Sequence, residues 1–178
     1  PASQLRPCGL RGSRPDLRLE GMQADPPFVS IVIPVKNEER ILARCLESIR
    51  NLDYPPDRFE VIVADSMSTD KSRHIAETYG ARVVPNGKGT VVAGRNRGFE
   101  AARGDFIAFT DADCVVSRGW LAAAVRAFDS DDIAGVGGVT VFPEDATEFQ
   151  KAVNVLFALA GLAGSTSHLE DGPERREA

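Results

Sequence analysis

The chain has 178 residues, of which 43% are hydrophobic and 26% charged, so it holds enough apolar material for one folded domain, and disorder throughout is excluded. The net charge of -5 argues against a nucleic-acid-binding surface, which needs a basic face. Cys8, Cys45 and Cys114 lie far apart without a paired motif, which is typical of a reducing, cytoplasmic compartment. No apolar run reaches the roughly 18 residues that a membrane span needs.

Both ends of the chain are polar and irregular. Residues 1–27 mix prolines with arginines and lack an apolar period, so we expect a disordered or non-native segment there. Residues 170–178 are nearly all polar and are expected to be disordered as well. The folded part is therefore expected between these two segments.

Between the ends, β-branched apolar runs alternate with segments of helical period. The predicted strands are Phe28–Val35, Phe59–Ala64, Ala81–Pro85, Asp105–Thr110 and Ile133–Phe142. The predicted helices are Glu38–Arg50, Thr69–Tyr79, Val91–Arg103, Arg118–Asp129 and Glu144–Gly161, with Asn37 and Ser117 as N-caps and Gly80 as a stop. This alternation predicts an α/β fold, a mostly parallel sheet with helices on both faces.

Polar clusters follow three of the predicted strands. Residues 36–38 follow the first strand, residues 65–70 the second and residues 111–113 the fourth. Because ligands of parallel sheets bind beyond the carboxyl ends of the strands, we expect the three clusters to converge on one crevice. Residues 68–70 can also be interpreted as a helix cap, but capping does not explain Asp65, which directly follows an apolar run.

The sharpest signal is the pair Asp111 and Asp113. In an extended segment both carboxylates point the same way from Cα atoms roughly 6–7 Å apart, and they repel by about 2–3 kcal/mol at an effective dielectric near 20. A divalent cation would remove this repulsion, and an all-oxygen donor set suits Mg²⁺ or Mn²⁺, which commonly bridges a carboxylate to nucleotide phosphates. An acid and base pair for glycoside hydrolysis is the rival interpretation, although that mechanism needs two different environments.

Three segments carry a family resemblance: VSIVIPVKNEERILARCLESI, VIVADSMSTD and GRNRGFEAARGDFIAFTDADC. They are similar, in this order, to the opening strand and helix, the D-D-G-S-T-D segment and the R-N-x-G…A-x-G-D…D-x-D stretch of the family-2 glycosyltransferases. The resemblance implies a Rossmann-like GT-A domain that binds a nucleotide sugar over residues 28–142. It also implies transfer of the sugar, from a UDP-sugar in the first place, to a glycan or lipid-linked acceptor with inversion of the anomeric configuration.

The resemblance also implies roles for single residues. The implied nucleotide-binding residues are Pro34, Val35, Glu38, Asp65, Arg95, Asn96 and Asp111, and the implied metal ligands are Asp111 and Asp113. Among them, Asp65 would accept a hydrogen bond from uracil N3–H, while Arg95 and Asn96 would lie near the diphosphate. Mg²⁺ or Mn²⁺ would stabilise the leaving diphosphate, and a carboxylate would deprotonate the acceptor hydroxyl.

The sequence departs from the family pattern at two neighbouring positions. Ser66 stands where the family has its second aspartate, and Met67 stands where it has glycine. Since methionine disfavours a positive φ, we expect the turn at Met67 to differ from that of the family.

The catalytic base that the family carries after its D-x-D, in an E-D segment, has no convincing match here. We therefore interpret the chain as a donor-binding half that is cut before the acceptor half, which would begin with residues 143–169. Within them, Ala152–Gly164 is apolar nearly all round and either packs under the acceptor half or touches the inner membrane surface. A nucleotide-sugar-binding module without turnover and a nucleotidyltransferase remain as alternative functions.

Overall fold

The computed structural model describes residues 25–130 and 132–138. Within these residues, four strands alternate with four helices: β1 (Val29–Val35), α1 (Leu42–Arg50), β2 (Phe59–Asp65), α2 (Ser72–Thr78), β3 (Arg82–Pro85), α3 (Val91–Ala101), β4 (Phe106–Phe109) and α4 (Trp120–Arg126). The strands form one parallel sheet in the order β3-β2-β1-β4. The predicted α/β fold with a parallel sheet is confirmed.

Strand β1 lies in the interior of the sheet, and all seven of its residues are buried. Successive side chains of a strand point to opposite faces, so β1 contributes to two cores. On one face, Ile31 and Ile33 join a core that includes Leu42 of α1 and Leu121 of α4. On the other face, Val32 joins a smaller core that packs under α3. The predicted helices on both faces of the sheet are therefore present.

Helix α3 lies unusually close to the sheet because a glycine faces β1. A Cβ atom on Gly98 would lie only 2.2 Å from Cγ1 of Val32, well inside van der Waals contact. Gly94 is similarly close, since its Cβ would lie 3.1 Å from Cβ of Pro34. These close approaches bring the start of α3 to the carboxyl ends of β1 and β2.

At the opposite, amino-terminal edge of the sheet, Glu60 ties β1, β2 and β3 to the end of α3. Its carboxylate accepts hydrogen bonds from Ser30 Oγ at 2.8 Å, from Arg103 N at 3.0 Å and from Arg82 Nη2 at 3.0 Å. Burial alone would raise the pKa of Glu60, but these hydrogen bonds outweigh it and hold the pKa below its ordinary value. The network fixes the edge that lies away from the three polar clusters.

Helix α1 begins four residues later than predicted, and Asn37 does not cap it. The N-cap is Ile41, which makes no side-chain capping bond. Asn37 has a left-handed backbone, φ 56°, and its side-chain oxygen accepts instead from the backbone N–H of Thr69 at 2.8 Å. The prediction was wrong because a short polar residue can serve a neighbouring loop as readily as its own helix.

Two other sequence predictions differ from the structure. Helix α4 begins at Trp120 with Gly119 as its N-cap, so Ser117 does not supply a side-chain cap. The predicted strand Ile133–Phe142 is wrong over residues 133–138, which form no strand; three glycines among these six residues weaken strand formation. The predicted helix Glu144–Gly161, the predicted disordered tail 170–178 and residues 1–24 of the predicted disordered segment 1–27 lie outside the described residues. The prediction is wrong at the end of that segment, because Pro27 is buried and its carbonyl oxygen accepts a hydrogen bond from Tyr54 Oη at 2.6 Å. In the part of the chain that the structure describes, no helix is both long and apolar enough to span a bilayer.

Candidate functional site

The loops after β1 and β2 are bonded to each other through side chains. Asn37 N donates to Ser68 Oγ at 2.9 Å, while Glu38 N donates to Ser72 Oγ at 2.8 Å. Further along, Glu39 N donates to Asp70 Oδ2 at 3.0 Å, and Lys71 N donates to Glu39 Oε2 at 3.0 Å. Residues 68–70, which could also be interpreted as a helix cap, therefore help to hold these two loops together at the carboxyl edge of the sheet.

Asp65 is the last residue of β2, and its exposed fraction is only 6%. Its Oδ1 accepts a hydrogen bond from Ser68 N at 3.1 Å. Within residues 25–130 and 132–138, no donor is bonded to Oδ2. Oδ2 is not one of the enclosed polar atoms that lack a partner among the described residues, so it reaches the surface and can accept a hydrogen bond from an N–H or O–H group of a ligand.

Asn86 connects the loop after β3 to the end of β2. Its backbone N–H donates to the carbonyl oxygen of Asp65 at 2.8 Å, and its side-chain nitrogen donates to Ser66 Oγ at 2.8 Å and to the carbonyl oxygen of Thr90 at 2.9 Å. Its side-chain oxygen accepts from Lys88 N at 3.2 Å. Sequence reasoning missed Asn86, although it directly follows β3 and the rule that selected Asp65 would have found it.

Met67, Lys36 and Gly89 bring three loops together above this edge. Met67 takes a left-handed backbone with φ 59°, at a steric cost of about 1–2 kcal/mol for methionine, and the expected difference from the family's turn stays a prediction. A Cβ atom on Gly89 would lie 3.9 Å from Met67 Cε and 3.9 Å from Lys36 Nζ. Residues that follow β1, β2 and β3 therefore meet at one point.

Asp111 follows β4 and pairs with Arg95 of α3. Arg95 Nη2 donates to Asp111 Oδ1 at 2.7 Å, with the two side chains 41% and 50% exposed. Arg95 Nε is buried and has no hydrogen-bond partner among the described residues. The structure thus brings together two of the residues that the family resemblance selected, and leaves one guanidinium N–H without a partner.

The segment 111–113 is a turn, so the prediction of an extended backbone is wrong. The carbonyl oxygen of Asp111 accepts from Cys114 N at 3.1 Å and from Cys45 Sγ at 3.5 Å. Burial above all, together with the nearby Cys114, Asp113 and Asp111 groups, raises the pKa of Cys45 to about 12, so the thiol keeps its proton and stays a donor. This turn is favoured because it satisfies a carbonyl that an extended strand end would leave to solvent.

Asp113 is exposed in this turn, and Cys114 Sγ lies 3.7 Å from its Oδ1. In the described segments, no group of three or more acidic, histidine or cysteine side chains is close enough to surround a metal ion. Two carboxylates still fit Mg²⁺ or Mn²⁺, since such ions are usually held by one or two carboxylates and complete their shell with phosphate and water oxygens. The donor chemistry of Asp111 and Asp113 is therefore suited to an ion that arrives with a diphosphate.

Three of the four remaining sequence-selected residues, Pro34, Val35 and Glu38, lie at the same edge of the sheet. Pro34 and Val35 are buried at the end of β1, where Val35 is in register with Asp65. Glu38 is half-buried in the loop after β1, and Asn96 is exposed on α3. No hydrogen bond joins these four residues to Asp111 or Asp113 in the described part of the chain.

The two acidic positions lie on the same edge of the sheet. Asp65 ends β2 and Asp111 follows β4, and only β1 lies between these strands. With neighbouring strands 4.7–4.9 Å apart, the two strand ends are separated by about 10 Å. The carboxylate of Asp65 and the partly exposed acidic turn with its arginine therefore lie at the edge where α/β proteins with a parallel sheet bind their ligands.

Comparison with known proteins gives the family. The sequence model of "Glycosyl transferase family 2" matches residues 30–166, so the chain belongs to glycosyl transferase family 2. Glycosyltransferase AglE from Haloferax volcanii is 32% identical over 127 residues, which are 68% of this chain and 42% of that protein. The chain therefore spans less than half the length of this relative.

Solved structures show the same fold. S. aureus TarS residues 1–349 in complex with UDP-GlcNAc is similar with a TM-score of 0.52 and 30% identity, over 65% of this chain and 37% of that one. Mannosyltransferase PcManGT from Pyrobaculum calidifontis in complex with GDP-Man and Mn²⁺ is similar with a TM-score of 0.55 and 25% identity, over 74% and 39%. The predicted GT-A fold is thereby confirmed.

Proposed function

We propose that this chain is the donor-binding part of a glycosyltransferase that takes a sugar from a nucleoside diphosphate sugar. One observation carries the proposal: the buried Asp65 and the acidic turn at Asp111 lie two strands apart on one sheet edge, about the span of a nucleoside with its diphosphate. TarS and PcManGT, which share this fold, are described with UDP-GlcNAc and GDP-Man. Both relatives support a donor of this chemical class.

The base and the ribose would occupy the side of the site formed by β1 and β2. Asp65 Oδ2, which has no donor among the described residues, would accept a hydrogen bond from the base. In the favoured UDP-sugar the donor would be uracil N3–H. Pro34 and Val35 would form the apolar wall beside the base, and Glu38 would close the pocket from the loop after β1. The turn bonds between the two loops keep this pocket formed before a ligand arrives.

The diphosphate would occupy the side formed by α3 and the turn after β4. Arg95 carries a positive charge and a buried Nε without a partner, and Asn96 follows it on the same helix. Asp111 would reach the ribose and the metal ion, and Asp113 would bind the ion. When bound, Mg²⁺ or Mn²⁺ supplies Lewis-acid stabilisation of the departing diphosphate; PcManGT is described with Mn²⁺.

We propose a glycan or lipid-linked acceptor and inversion of configuration, with an acceptor-activating carboxylate outside the described residues. The domain limits 28–142 and 143–169, the cytoplasmic location and the membrane-surface contact of Ala152–Gly164 stay predictions. A binding module without turnover would share every feature of the donor site described above.

Calorimetric titration of the 178-residue chain separates the candidate functions. We expect UDP and a UDP-sugar to bind in the presence of Mn²⁺, and Asp65→Ala to weaken the preference for UDP over CDP. A nucleotidyltransferase would instead bind UTP with a sugar 1-phosphate and release diphosphate. Absence of binding by any nucleoside diphosphate with Mn²⁺ would refute the proposal.

A further inference from the structure

Lys36 is a cation at the carboxyl end of β1, and neither the family resemblance nor the proposed roles give it a function. Its side chain is exposed, directly after β1. Within residues 25–130 and 132–138, no carboxylate lies within ion-pair distance of its ammonium group. Its charge is therefore not used in holding the fold together.

The ammonium group lies on the Asp65 side of the site. Its neighbours at Gly89 and Met67 belong to loops that are both tied to the end of β2: Met67 follows Asp65 by two residues, and Asn86 bonds the Gly89 loop to the Asp65 carbonyl oxygen. Val35, the residue before Lys36, is in register with Asp65. The acidic turn at Asp111 lies on the other side of β1.

The two side chains present complementary hydrogen-bonding groups. A carboxylate accepts only, and an ammonium group donates only. Asp65 Oδ2 reaches the surface and has no donor among the described residues, and Lys36 Nζ has no acceptor among them. A ligand edge that carries an N–H next to a carbonyl oxygen would satisfy both groups at once.

We propose that Lys36 is a specificity-determining residue that, together with Asp65, selects bases with a lactam edge. Uracil presents N3–H beside carbonyl oxygens, and guanine presents N1–H beside O6. In the same position, cytosine and adenine would present an unprotonated ring nitrogen to Asp65 and an amino group to Lys36. Both contacts would then be lost, and the carboxylate would face an acceptor. The inference rests on the proposed function, because it assigns the base end of the same site.

The test compares Lys36→Met with Lys71→Met, which removes the same charge from another exposed lysine. With Mn²⁺ present, the wild-type chain should bind UDP or GDP more tightly than CDP and ADP. Lys36→Met should weaken binding of the preferred lactam nucleotide about tenfold and reduce its affinity ratio over CDP by the same factor. Lys71→Met should leave the affinity and the ratio within twofold of wild type.

Binding of the nucleoside monophosphates shows whether Lys36 contacts the base or the diphosphate. If Lys36 contacts the base, Lys36→Met should weaken the binding of UMP and UDP (or of GMP and GDP) by the same factor. A loss confined to the diphosphate, an unchanged ratio over CDP, or a wild-type preference for CDP or ADP would each overturn the inference. These outcomes all require nucleotide binding, whereas a wild-type chain that binds no nucleoside diphosphate would refute the proposed function itself. Because Lys36 is exposed, its replacement should leave the thermal midpoint unchanged, which confirms that the variant is folded.

Discussion

Replacing Arg95 with methionine should separate the stability of the fold from the binding of the donor. The Arg95–Asp111 pair is short, 2.7 Å, but its side chains are 41% and 50% exposed. Exposed ion pairs contribute about 0–1 kcal/mol after solvent screening. We therefore expect Arg95→Met to lower the free energy of unfolding by less than about 1 kcal/mol, and the folded chain to remain available for binding measurements.

The same substitution should have a larger effect on UDP. A hydrogen bond to a charged group contributes about 1.5–3 kcal/mol, so loss of the guanidinium beside the diphosphate should weaken UDP binding by about 10- to 150-fold. Uridine, which lacks phosphates, should bind to the variant and to the wild type equally. UDP and uridine should differ in this way because Arg95 lies on α3 and pairs with the acidic turn at Asp111, not with Asp65.

The assay is calorimetric titration of UDP with Mn²⁺, with uridine followed by NMR and unfolding followed in urea. Arg97→Met serves as the control, since Arg97 lies on the same helix and forms an exposed pair with Glu100 at 3.0 Å. Equal UDP affinity in the two variants would refute the placement of the diphosphate at Arg95. A loss of uridine binding as large as the loss of UDP binding would point to a disturbed fold and would contradict the argument as well.

Three further predictions concern the fold that positions the site. Gly98→Ala should lower the free energy of unfolding in urea by about 1–3 kcal/mol, because its Cβ would collide with Val32. Adding Val32→Ala to the same chain should recover part of this loss. Additive effects of the two substitutions would contradict the collision. Because the pKa of Glu60 is lowered in the folded state, its carboxylate stabilises the fold above the ordinary pKa of 4.5, and this stabilisation is lost as the pH falls through the folded-state pKa. The difference in unfolding free energy between wild type and Glu60→Gln should therefore shrink on acidification. A difference that does not change with pH would argue against the network. Met67→Asn should raise the free energy of unfolding by about 0.5–1 kcal/mol, since asparagine tolerates a positive φ better than methionine, whereas a loss of stability would show that the Met67 side chain contributes more than its backbone costs.

Much of the architecture could be predicted because strand and helix periods differ and β1 is buried on both faces. The same alternation located Asp65 and Asp111 at strand ends, and parallel strands bring such ends to one edge. Boundaries were less predictable: α1 starts at Leu42, because residues 37–39 bond to the loop after β2 instead of extending the helix. The partners in these hydrogen bonds are distant in the sequence, so the local pattern around residues 37–39 does not indicate them.

The finer geometry of the site was also beyond the sequence. The turn at 111–114 depends on Cys45 of α1, which is 66 residues away in the chain. Arg95 was selected through the resemblance, but its pairing with Asp111 follows from the close packing of α3, which Gly98 permits. Contacts of this kind arise from tertiary packing, so no pattern of residue types along the chain indicates them.

The most direct test of the account is the Mn²⁺ dependence of UDP binding in Asp113→Ala, compared with Asp57→Ala, another exposed aspartate away from the site. We expect Mn²⁺ to strengthen UDP binding to the wild type and to Asp57→Ala, and we expect this gain to disappear in Asp113→Ala. An equal gain in all three chains would contradict the claim that the acidic turn and the buried carboxylate of β2 hold one nucleotide together.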